Sequence, residues 1–144
     1  MTEDTAATQA NDAGSASRGD TIAVRLPATS AYISVLRTVT AGLAARLDFT
    51  LDEIEDLRIA VDEACGLLLV QPQPQGELEC EYQLHGDTMY VYMTTPTVDG
   101  SEPSRDTFAW NVLHALVSTV NAYTASGNRV TIVLEKQRGA AEPV

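Results

Sequence analysis

The nine residues ELECEYQLH, 77–85, alternate without a fault: Leu78, Cys80, Tyr82 and Leu84 are spaced by Glu77, Glu79 and Glu81. Successive side chains of a strand point to opposite faces, so this pattern requires one dry face and one wet face. A chain built around such a strand needs a sheet covered on one side only. HGDT turns the chain, and TMYVYMT returns it as a hairpin partner. TIAVRL (21–26) also alternates and ends at Pro27, as an edge strand does. RVTIVLEK supplies a last strand, with Val130, Ile132 and Leu134 set against Thr131, Val133 and Glu135.

Helices supply the cover. Ser30 is the expected N-cap of a first helix reaching about Leu47, with Ile33, Leu36, Val39 (or Thr40) and Leu43 on one face. Thr50 caps a second, and Glu53 three residues on completes a capping box. Ile54, Leu57, Val61, Cys65 and Leu68 give that helix a buried stripe, which stops before the prolines of QPQPQG. A third helix is expected from Asp106, its cap, to about Tyr123, carrying Ala109, Val112, Leu113, Leu116, Val117 and Val120, with ASGN as its stop. The order β-α-α-β-β-α-β predicts an α+β sandwich: a mostly antiparallel sheet with helices on one face.

With 144 residues the chain has material for one core, expected over residues 21–137. Residues 1–20 are small, polar and acidic and are expected to form a disordered tail, with a short second tail at 138–144. A net charge of −11 sets the chain against nucleic acid and anionic membranes as direct partners. No apolar run approaches the ~20 residues of a membrane span, and no signal-peptide pattern is present, so a cytoplasmic location is expected. The two cysteines lie in buried patterns and read as reduced core thiols. His85 and His114 have no metal-ligand spacing, and no metal site is expected.

The segment LPATSAYISVLRTVTAGLAARLDFTLDEIEDLRIAVDEAC resembles the N-terminal half of anti-sigma factors of the RsbW and SpoIIAB type, small members of the GHKL (Bergerat-fold) ATPase group. The resemblance runs over roughly residues 21–136. It implies a Bergerat-type sandwich, a sigma factor as partner, an anti-anti-sigma factor as antagonist, and a homodimer. It also implies that Glu63 stands at the position of the general base that activates a partner serine. Four residues later, where relatives carry the asparagine that helps hold Mg²⁺, this chain has Leu67. Leucine offers no lone pair to a cation that demands oxygen. With Val61 at the centre of the buried stripe, Glu63 falls on the opposite side with Ile59, Gly66, Leu67 and Val70.

The remaining nucleotide positions of the family are substituted as well. Thr95 and Thr97 replace the aspartate and first glycine of D-x-G-x-G, and Asp99-Gly100 a few residues on reads as a plain turn. Thr107 and Ala109 replace the glycines of the G-x-G that opens the third helix, with bulky Phe108 and Trp110 beside them. The resemblance therefore implies an anti-sigma factor in which ATP and Mg²⁺ are not expected as cofactors unless the site is rearranged. Arg37 aligns with a partner-contacting arginine of the first helix. An active serine kinase and an acidic interaction module without a sigma partner remain the alternatives.

Overall fold

The computed structural model describes residues 19–139. Residues 1–18, most of the expected N-terminal tail, and 140–144 lie outside the described residues. Five strands form one antiparallel sheet: β1 (Asp20–Pro27), β2 (Glu77–His85), β3 (Thr88–Pro96), β4 (Thr119–Ala125) and β5 (Arg129–Gln137). Their spatial order is β1-β2-β3-β5-β4. Three α-helices accompany them: α1 (Ile33–Arg46), α2 (Leu51–Leu68) and α3 (Phe108–Leu116). The α+β sandwich with a helical cover on one face is as the sequence predicts.

The alternation of β2 sets the layers. Leu78, Cys80, Tyr82 and Leu84 are buried, and so are Met89, Val91 and Met93 of β3 and Val130, Ile132 and Leu134 of β5. These meet Leu36 and Ala44 of α1 and Leu57, Ala60, Val61, Ala64, Cys65 and Leu68 of α2. Helix α2 is central, packed between α1 and α3 and over β3 and β5. Its start is fixed by the expected capping box: Glu53 N–H donates to Thr50 Oγ1 at 3.1 Å, and Thr50 N–H donates to Glu53 Oε1 at 2.8 Å. One buried polar link ties α1 to the sheet, between Thr40 Oγ1 and the Tyr82 hydroxyl at 2.8 Å.

The third helix differs from its expected extent. It ends at Leu116, Val117 is extended (φ −127°, ψ 167°), and residues from Thr119 form β4. Apolar residues at 117 and 120 fit a helical period, but the segment is rich in β-branched residues, which pack well on a pleated surface. The free edge of β5 then decides, pairing from Thr119↔Glu135 to Ala125↔Arg129. Gly127 and Asn128, both at positive φ, make a hairpin turn and not a helix stop.

Smaller corrections concern ends. Thr107 and not Asp106 caps α3, accepting from Trp110 N–H at 3.2 Å. Ser30 opens a single 3-10 turn, Ser30–Tyr32, and α1 begins after it without a side-chain cap. Residues assigned to the tails join the domain at both ends. Asp20 pairs with Leu84, and Arg138 N–H donates to Asp87 O at 2.7 Å. Gly139 N–H donates to Glu53 Oε2 at 2.6 Å.

Candidate functional site

The C-terminal end of α2, the end of β3 and the loop leading to α3 enclose a cleft of about 340 Å³. Leu67, Thr97 and Thr107 all line it, so the fold brings together three of the positions singled out by the sequence. Leu68, Val70, Pro103 and Val130 add apolar wall; Gln71, Asp99, Ser101, Glu102 and Ser104 add polar groups. The lining contains two carboxylates and no lysine or arginine.

Each polar side chain at a nucleotide position already has a partner. Thr95 is fully buried, and its hydroxyl donates to Glu77 O at 3.0 Å. Thr97 Oγ1 donates to Asn128 O at 3.0 Å and accepts from Gly100 N–H at 2.8 Å. Thr107 Oγ1 accepts from Trp110 N–H and donates to Ser104 O at 3.2 Å. A hydroxyl has one hydrogen to donate, so none of the three can donate to a ligand without breaking an internal bond. Ala109 sits half-buried in the first turn of α3, where its methyl and the Phe108 and Trp110 side chains flank the backbone.

Asp99-Gly100 is a turn, as expected. Asp99 Oδ1 accepts from Ser101 N–H at 3.0 Å. With its nitrogen facing the carboxylate, the Gln71 amide donates to both Asp99 oxygens at 3.2 Å. Gly100 has φ +72°, and a Cβ there would stand 2.8 Å from Asn128 Oδ1, so a side chain is disfavoured both by backbone strain and by crowding. The long loop is also pinned by Arg105, which sequence reasoning passed over. Its guanidinium donates to Asn121 Oδ1 (3.0 Å) and Ala122 O (3.2 Å), pairs with Glu102 (3.4 Å) and lies 4.9 Å from the Trp110 ring centroid. Only β4, itself unforeseen, makes that clamp visible.

Glu63 is half-buried on α2, one turn before Leu67. Ion pairs on this helix are made by its neighbours: Asp62 with Arg37 at 3.7 Å, Asp56 with Lys136 at 3.5 Å, and Glu55 with Arg58 at 3.1 Å. Arg37 thus links α1 to α2 through Asp62 and is not among the cleft-lining residues, with more than a third of its side chain exposed. His85 stacks edge-on against Tyr90, and His114 against Trp110. No group of three or more His, Cys, Asp or Glu among the described residues is placed to hold a metal ion.

Set against known proteins, the chain is 31% identical to a serine-protein kinase RsbW of Halalkalibacterium halodurans, over 60% of this chain and 63% of that one. An RsbW of Bacillus cereus is 32% identical over 51% of this chain and 48% of its own. The RsbW of Bacillus subtilis reaches 48% identity over a shorter stretch, 32% of this chain and 29% of its own. The matches therefore span less than two thirds of the length of each relative. Over these stretches the chain is similar to proteins named serine-protein kinase RsbW. A crystal structure of the RsbU and RsbW domains of Rv1364c from Mycobacterium tuberculosis superposes with a TM-score of 0.64 and 16% identity, covering 83% of this chain and 32% of that one. That likeness supports the fold. No protein-family model matches the chain.

For Mg-ATP the residues present do not fit. Leu67, where the resemblance would put a metal-holding asparagine, is an alkyl group; the hydroxyls of Thr95, Thr97 and Thr107 are engaged within the protein; and the two carboxylates of the lining would repel a triphosphate.

Proposed function

We propose that this chain is an anti-sigma factor that holds a sigma factor by protein–protein contact and does not transfer phosphate. In this reading an anti-anti-sigma factor competes for the sigma-binding surface and releases a stress-type sigma factor in the cytoplasm, and the anti-sigma factor acts as a homodimer. The observation that carries it is the cleft just described: on a scaffold similar to RsbW, Leu67 and the engaged Thr97 and Thr107 line it beside the carboxylates of Asp99 and Glu102. A protein-binding role needs a surface and no nucleotide. Arg37 supplies a charged anchor on the α1–α2 face. An arginine in a chain of net charge −11 suits a carboxylate on a partner, where a two-pronged pair orients as well as attracts.

The relatives' name, serine-protein kinase, favours a second reading, in which a rearranged cleft still binds ATP and Glu63 still acts as base. Calorimetry separates the two. With Mg-ATP at millimolar concentration the first reading expects little heat, and a tagged chain captures a sigma factor from its host without nucleotide. Micromolar Mg-ATP binding, or transfer of label from ATP to a partner serine, establishes the second.

A further inference from the structure

The face of the sheet turned away from the helices carries its own pattern. Across the strands, Ala23 faces Glu81, which faces Tyr92; in the next row Arg25 faces Glu79, which faces Thr94. Ala23 is the small member, and above it lies a shallow depression of about 390 Å³, walled by Arg25, Glu79, Glu81, Tyr92 and Thr94. Tyr92 continues into an aromatic shelf with Tyr90 and Tyr123, the last 45% exposed. Tyr92 is half-buried, and its phenol pKa is held up, first by burial and then by the neighbouring Tyr123, Tyr90, Glu81 and Glu135.

The charges on this face are not balanced. Arg25 pairs with Glu77 at 3.9 Å, and Arg129 with Glu79 at 3.3 Å. Glu81 and Glu135, on either side of Tyr92, have only neutral partners among the described residues: Gln83 Nε2 donates to Glu81 at 2.7 Å, and Thr119 Oγ1 donates to Glu135 at 2.9 Å. An aromatic ring between two carboxylates attracts a cation both by its quadrupole and by their charge. The depression that runs from Ala23 past Glu81 to Tyr92 gives that cation a place to enter.

We propose that the open sheet face is a docking site for an extended, arginine-bearing segment of a partner protein, one guanidinium entering the depression bounded by Ala23, Glu81 and Tyr92. Arginine is favoured over lysine because a planar guanidinium stacks on a tyrosine while presenting its edge to a carboxylate. Neighbouring residues of the segment lie along Tyr90 and Tyr123. This site is on the opposite side of the sheet from α1, α2 and the cleft. It does not depend on the anti-sigma reading.

The test is an NMR titration of the ¹⁵N-labelled full chain with the peptide acetyl-Thr-Arg-Thr-Arg-Thr-amide. Its control is the citrulline version, which keeps the planar shape, loses the charge and exchanges part of the N–H fork for a carbonyl oxygen. The arginine peptide is expected to shift amides of residues 21–25, 79–83 and 90–94 saturably, and the citrulline peptide to leave them in place. Glu81→Gln and, separately, Ala23→Tyr are each expected to weaken binding by about fivefold or more, with unchanged melting temperature, the first by losing the charge pair and the second by filling the depression. Either variant suffices if the other fails to fold. Equal shifts from both peptides, shifts spread evenly over the acidic surface, or no shift overturn the proposal. So do shifts of these residues on diluting the protein alone, which assign the face to a second copy of the chain.

Discussion

Helix α1, which carries Arg37, is held to the sheet by a buried polar link whose removal has an asymmetric cost. Thr40 and Tyr82 are both fully buried. Thr40 Oγ1 lies 2.7 Å from Leu36 O and 2.8 Å from the Tyr82 hydroxyl, which in turn is 3.4 Å from Leu36 O. In Tyr82→Phe the threonine keeps its short bond to Leu36 O, so no donor is stranded. The loss is that of one ordinary hydrogen bond, about 0.5–1.5 kcal/mol. In Thr40→Val the shape is kept, but the buried Tyr82 hydroxyl retains only the long contact, and an unsatisfied buried donor costs about 1–3 kcal/mol. The double variant removes donor and acceptor together and should cost less than the sum of the singles, by about 0.5 kcal/mol or more. For a domain of this length each kcal/mol moves the melting temperature by roughly 3–5 °C. Urea and thermal unfolding of the four proteins measure the cycle. Tyr82→Phe costing more than Thr40→Val, or singles that add to the double, would refute the argument that the stranded hydroxyl dominates.

Burial pushes the thiols of Cys65 and Cys80 each up to about 12. Their folded pKa values exceed the unfolded value of ~8.5, so their contribution is present in full below that pH and is lost as pH rises toward 12. Urea midpoints should fall steeply above about pH 9, and Cys80→Ala should start lower but show a shallower slope. Thr50→Ala removes the capping box of α2 and should cost about 1 kcal/mol in urea unfolding. Gly100→Ala, strained at φ +72° and crowded by Asn128, should destabilise the chain by about 1 kcal/mol or more in the same assay. Under the anti-sigma reading, Arg37→Ala should speed dissociation from the sigma factor in surface plasmon resonance with little change in melting temperature, and Glu63→Gln should leave binding intact. The reverse outcome places the partner surface on the wrong helix face.

What the sequence determined alone is whatever rests on local periodicity and local chemistry. The alternation of 77–85 determined a sheet with one buried face, and Thr50 with Glu53 determined where α2 begins, because both signals are complete within a few residues. That residue 67 offers an alkyl group and no lone pair is likewise legible from the sequence. The tertiary structure decided what depends on a distant partner. Val117 to Tyr123 satisfies a helical period on its own and becomes a strand because β5 offers it an unpaired edge. The committed hydroxyls of Thr95 and Thr97 are visible only once Glu77, Asn128 and Gly100 are brought beside them. Arg105 reads as one charge in a polar loop until β4 and Trp110 surround it. The depression over Ala23 has the same origin: an alanine on an edge strand says nothing until the register sets it in one row with Glu81 and Tyr92. Periodicity is a property of neighbours along the chain, whereas hydrogen-bond satisfaction and surface shape are properties of neighbours in space.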